Sequence, residues 1–128
     1  MKIYLSCSSA DLALAAERMA TIRAMGHEIV YDWTASFNDN VLKEDWPALA
    51  AMDVDMVKAA DCMVLWGQPT AGCYVELGTA IVDRVPVVWV MDGIDAYQGR
   101  HFFMYYHGLC AITAPSLPSV LAFVANVL

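Results

Sequence analysis

Three side chains in this chain, Glu76, Asp53 and Tyr4, have the groups for proton or nucleophile chemistry and stand in largely apolar stretches. Glu76 stands near the start of 70-TAGCYVELGTA-80, a helix-like stretch of otherwise small or apolar residues. An acid near a helix N-terminus gains ~0.3–1 kcal/mol from the macrodipole, which is a structural reason for its presence. Cys73, three residues earlier, is not the Ser or Thr of a capping box. The same dipole lowers a carboxyl pKa and keeps the group ionised, a state suited to a nucleophile and not to a general acid. Asp53 lies on a second helix-like stretch, where Leu49, Met52, Met56, Val57 and Ala60 form one apolar stripe at about 100° per residue. Asp53 falls inside that stripe and Asp55 on the opposite, wet face. A carboxylate on a buried face is costly unless it is paired or lines a cavity, so Asp53 either caps buried backbone or belongs to a site. Tyr4 sits in a short apolar run, where an aromatic packs well, and its hydroxyl is within reach of a carboxylate at the run's end.

The elements that must position these groups alternate. Residues 2-KIYLS-6 read as strand one, and the helical spacing of Leu12, Ala15, Met19 and Ile22 marks a helix over 11–25. Ser9 or Asp11 caps its start, and Gly26 closes it in a left-handed conformation. Strand two is 28-EIVYDW-33, followed by a polar loop, 34-TASFNDN-40. A helix from Trp46 to Ala60 carries Pro47 in its first turn. Strand three, 62-CMVLW-66, is broken by Gly67 and Pro69; a helix over 72–83 and strand four, 86-PVVWVM-91, follow. Residues 92–109 are irregular and aromatic-rich, then come a fifth strand, 110-CAIT-113, and a last helix over 116–128. The pattern implies a single α/β domain over 1–128, with a five-stranded parallel sheet in flavodoxin-like order 2-1-3-4-5. Such a sheet binds ligands where its winding reverses, beyond the carboxyl ends of strands one and three. Those ends are 6-SCSSAD-11 and 67-GQPTAG-72, so the fold alone puts Glu76 beside the expected crevice.

Bulk properties narrow the function. The chain has 128 residues, 59% of them hydrophobic and only 16% charged, which suggests large buried surfaces, a subunit interface included. Its apolar runs, such as 85-VPVVWVM-91, are strand length and far short of the ~20 residues of a membrane span. The N-terminus enters a strand directly, with no signal region, so a cytoplasmic setting is expected. A net charge of -7 leaves no basic stripe for a nucleic-acid polymer but does not exclude a small nucleoside. Cys7, Cys62, Cys73 and Cys110 form no C-x-x-C and have no His at metal-ligand spacing; they read as free buried thiols, with neither metal nor cofactor expected. Ser6, Ser8, Ser9 and Thr70 give the two crevice loops a set of hydroxyls, for which turn and cap duty is the default. Trp33 can wall a pocket for a flat ring. His27, His101 and His107 are scattered and read as structural.

With these residues in place, the chain resembles the nucleoside 2-deoxyribosyltransferase family, including its small relatives that cleave deoxynucleoside monophosphates. The opening 3-IYLSCS-8 resembles the family's I-Y-F/L-x-G-S start. The span 53-DVDMVKAADCMVL-65 is similar to its D-x-x-x-I-x-x-x-D-hydrophobic segment. The span 69-PTAGCYVELGTAIVDRVPVV-88 is similar to its E-L-G-x-A motif followed by P-V. The resemblance runs in order through about residue 90. It implies the flavodoxin-like sheet, with Glu76 as nucleophile, Asp53 assisting the leaving base and Tyr4 holding the nucleophile in place. Thr70 matches the position at which the nucleotide-cleaving branch meets phosphate with Ser. The first loop, S-C-S-S, lacks that branch's glycine and following Arg, and 97-YQGRHFFMYYHG-108 is no clear equivalent of the transferases' tail.

The resemblance thus implies cleavage or transfer at the N-glycosidic bond of a (2′-deoxy)nucleoside or its 5′-monophosphate through a covalent glycosyl-Glu intermediate. Glu76 attacks C1′ through an oxocarbenium-like transition state, and Asp53, its pKa raised by an apolar setting, protonates or orients the base. Ser6, Ser8, Gly72 and Thr70 line the sugar or phosphate end, Asp32 and Trp33 flank the base, and the enzyme is a homodimer or higher homo-oligomer. The alternative is a flavin- or nucleotide-binding module of flavodoxin type, which leaves Asp53 and Glu76 without a task.

Overall fold

The computed structural model describes residues 1–37 and 40–90 in full, and the backbone of a further strand at Ala111–Ala114. The expectations for 92–109, Cys110 and a helix over 116–128 lie outside the described residues. In chain order the elements are β1 (Lys2–Ser6), α1 (Leu12–Ala24), β2 (Glu28–Ile29), α2 (Trp33–Ser36), a 3-10 turn (Lys43–Asp45), α3 (Trp46–Ala59), β3 (Cys62–Trp66), α4 (Ala71–Val82), β4 (Val87–Val90) and β5 (Ala111–Ala114). The four strands with described side chains are parallel in the order β2-β1-β3-β4, and the β5 backbone pairs in parallel outside β4. This is an α/β fold of flavodoxin-like winding. The chain reverses direction across the sheet between β1 and β3, which pair directly at Tyr4↔Met63 and Ser6↔Leu65.

Alternation along β1 divides two cores. Ile3, Leu5 and Cys7 pack with Ala15, Met19 and Ile22 of α1 on one face. Tyr4 packs with Val57 of α3 and Cys73, Leu77 and Ala80 of α4 on the other. Successive strand side chains point to opposite faces, so a strand covered by helices on both sides is apolar throughout. Helix α1 begins at Asp11, whose carboxylate accepts the Leu14 N–H at 3.0 Å. It ends in paired Gly26 N–H to Arg23 carbonyl and His27 N–H to Ile22 carbonyl bonds. Gly26 has φ +87°, the left-handed residue that this ending requires.

Two expectations need correction. Strand two does not run to Trp33. The last ladder bond runs from the Val30 N–H to the Ile3 carbonyl at 3.0 Å, and the next β1 carbonyl, that of Leu5, accepts the Trp33 indole N–H at 2.9 Å where a longer strand would otherwise bond. The residues expected to begin a polar loop instead form the short helix α2, steadied by the Arg23–Asp32 ion pair at 2.8 Å. The stripe on α3 is also less buried than its periodicity implies: Val57 is buried, Leu49 and Met56 partly so, and Met52 is exposed.

Candidate active site

The site opens at the carboxyl ends of β1 and β3, against α2, α3 and α4. Its floor is set by strand parity. Tyr4 and Ser6, two residues apart on β1, present their hydroxyls to the same carboxyl group. Tyr4 Oη donates to Glu76 Oε1 at 2.9 Å, and Ser6 Oγ donates to Glu76 Oε2. Glu76 is the sixth residue of α4, beyond the first turn, and is partly buried beside Cys73 and Leu77. Tyr4 also engages Asp53, which projects from α3 into the same cleft. Cys7 and Ser9 line it from the loop after β1, Tyr31, Trp33 and Phe37 from the β2–α2 side, and Thr70, Gly72 and Cys73 from the start of α4. Aromatic walls stand over a polar floor, an arrangement suited to a flat ring attached to a polar group.

Electrostatics departs from the sequence argument at Glu76. The helix dipole alone would lower its pKa. Burial instead pushes it up to about 7, against the opposing hydrogen bonds from Ser6 and Tyr4 and with a further upward contribution from the Asp53 charge. Dipole effects fade after the first turn, so desolvation wins at this position. Burial also raises Asp53, as the apolar-stripe argument implies, with the Tyr4 hydroxyl opposing it. The Tyr4 phenol is held far above its ordinary range by burial and by the two neighbouring carboxylates, so it serves as a hydrogen-bond donor and not as an acid. The Cys7 thiol is raised by burial despite Arg18 nearby, which keeps it from acting as a thiolate nucleophile.

The remaining sequence candidates divide. Trp33, Thr70 and Gly72 line the cleft. Thr70 stands at the N-cap of α4 without capping it through its side chain; its Oγ1 lies 3.3 Å from Cys73 Sγ. Ser6 is on the nucleophile candidate and not on the open lining. Asp32 points its carboxylate at Arg23 and Thr34, which hold its pKa down, and the cleft lining does not include it. Ser8 accepts the Ala10 N–H at 3.2 Å in a turn, also outside the lining. Sequence reasoning passed over Tyr31 and Phe37, whose place in the lining depends on where α2 begins, and read Leu49, which also lines the cleft, only as part of the α3 stripe. Among the described residues, no group of three or more His, Cys, Asp or Glu could hold a metal ion, and no helix is long and apolar enough to cross a membrane. Cys7, Cys62 and Cys73 are free and buried.

No protein-family profile matches the chain, and no curated protein matches it. Among solved structures, a 2-deoxyribosyltransferase from the psychrotolerant bacterium Bacillus psychrosaccharolyticus aligns with a TM-score of 0.60 at 19% identity, over 77% of this chain and 79% of its own. The CMP N-glycosidase of Clostridium botulinum aligns with a TM-score of 0.57 at 13% identity, over 100% of both chains. At these identities the likeness is one of fold.

Proposed function

We propose that this fold serves an enzyme that cleaves or transfers at the N-glycosidic bond of a (2′-deoxy)nucleoside or its 5′-monophosphate. The observation that carries the proposal is the Asp53–Tyr4–Glu76 cluster: two carboxyls raised by burial and linked through one phenol, on the floor of an aromatic-walled cleft. Two carboxyls in one pocket with one proton between them are the usual means of dividing nucleophile from acid. The fold likeness to a 2-deoxyribosyltransferase and a CMP N-glycosidase supports the same reading.

In this mechanism, ionised Glu76 forms a bond to C1′ of the sugar as the C1′–N bond breaks, and the bonding pair leaves with the base. Asp53 gives its proton to the departing nitrogen. A second base or a water then attacks C1′, returns a proton to Asp53 and frees Glu76. Tyr4 fixes the Glu76 rotamer throughout. Trp33, Tyr31 and Phe37 hold the base, while Thr70 and Gly72 meet the sugar or its 5′ end. Homo-oligomer formation and a cytoplasmic setting belong to the same proposal, and sedimentation velocity tests the first. A flavin-binding module would have no use for a buried carboxyl pair.

The test is incubation with a panel of nucleosides, deoxynucleosides and their monophosphates, with and without a free acceptor base, followed by chromatography of released or exchanged base. The reading requires turnover by the wild type and its loss in Glu76→Ala. Full activity of Glu76→Ala would overturn it.

A further inference from the structure

Resting on that reading, the geometry points to Ser6 as a second positioning residue, one that decides which of the two site carboxyls is ionised. Ser6 is only 1% exposed, and its hydroxyl is committed to Glu76 Oε2. Tyr4 donates to the other oxygen, Oε1. A hydroxyl has one proton to give. Once Tyr4 has given its proton to Glu76, it can only accept from Asp53, with which it also interacts. The chain of bonds is therefore self-consistent in one sense: Ser6 donates to Glu76, Tyr4 donates to Glu76, and a protonated Asp53 donates to Tyr4. Glu76 is then the anion and Asp53 the acid, as glycosyl transfer requires.

Without Ser6 that direction is lost. Glu76 and Asp53 would share Tyr4 as their common donor, and Tyr4 could turn its proton either way. Among the described residues, nothing else near Glu76 restores the bias. Besides Ser6 it interacts with Tyr4 on β1, the Cys7 thiol in the loop after β1 and Asp53 on α3. Neither ion pair among the described residues involves Glu76. The cation beside Cys7, Arg18, is placed over the Trp66 ring at 5.2 Å and donates to the Trp66 carbonyl at 3.3 Å. The task of holding charge on Glu76 therefore falls to two hydroxyls. Tyr4 serves both carboxyls and Ser6 only one.

The deciding measurement needs no substrate. Carboxyl-carbon NMR with labelled Glu reports the Glu76 titration midpoint in the wild type, Ser6→Ala and Ser6→Thr. Loss of one hydrogen bond to the ionised form is expected to raise the midpoint in Ser6→Ala by about one pH unit, and the Thr hydroxyl is expected to restore it. An unchanged midpoint in folded Ser6→Ala overturns the proposal, whatever the protein turns over. A moved midpoint in a protein that cleaves no nucleoside keeps the positioning role and overturns the functional reading instead. On a substrate found in the panel, Ser6→Ala should lose about tenfold in kcat/KM below the wild-type midpoint, with KM little changed. The rate should return toward wild type at pH 9. An equal loss at pH 9 would mean that Ser6 acts on the substrate, and the proposal would fail.

Discussion

At the scale of single residues, the site depends on where one proton resides. Under the proposed mechanism Glu76 must be ionised to attack, and burial places its pKa at about 7, so kcat/KM should fall tenfold per pH unit below that value. A pH–rate profile checks this; a flat profile between pH 5 and 7 would exclude Glu76 as the nucleophile. Replacing Asp53 with Asn removes the acid and should cost ~10²–10⁴ in rate on an ordinary base. The loss should shrink for a substrate whose base leaves without protonation, which a comparison of natural and activated leaving groups measures. Tyr4→Phe removes the donor to Oε1 and should slow the reaction while moving the acid limb to higher pH. Glu76 and Asp53 stood out in the sequence because each breaks an apolar pattern, whereas Tyr4 fits its strand and drew notice only through its hydroxyl and the family resemblance. Ser6 was legible only as a loop hydroxyl, although its two-residue offset from Tyr4 on a strand already put both on one face. The direction of the Glu76 shift was not legible, because dipole and burial oppose each other and only the depth of the side chain decides between them.

At the scale of elements, α1 was readable from capping and periodicity, and α1 and α4 both lie within a residue of their expected bounds. Strand two was not. Its run 28–33 looks extended, but the ladder ends with the Val30 N–H on the Ile3 carbonyl, and the Leu5 carbonyl goes to the Trp33 indole. That early end leaves room for α2 to wall the cleft with Trp33 and Phe37. The C-terminal turn of α1 offers a separate check on the packing. Gly26 is held at φ +87°, and a Cβ added there would find no other atom within 4 Å, so Gly26→Ala meets no clash and suffers from backbone conformation alone. It should cost about 1 kcal/mol in urea unfolding. A neutral result would mean that this turn relaxes when substituted.

At the scale of the whole molecule, the site is maintained at the expense of stability. Glu76 has a folded pKa near 7 against an ordinary 4.5, so the unfolded chain ionises it first. Its contribution is complete below about pH 4.5 and is lost as pH rises through 7. Relative to the wild type, Glu76→Gln should therefore gain roughly 1–3 kcal/mol above pH 7 and little at pH 4.5, as thermal melts at the two pH values would show. An equal gain at both would mean that the carboxyl is not buried as described. The alternation of β1 has a consequence that reaches beyond catalysis. Ile3, Leu5 and Cys7 face one core, and Tyr4 and Ser6 face the other. A slip of β1 by one residue against β3 would exchange the two sets, placing two hydroxyls against α1 and aliphatic carbon against a buried carboxylate. The pair of hydroxyls thus works as a register key, so that only a correctly threaded sheet brings both of them to the Glu76 carboxyl.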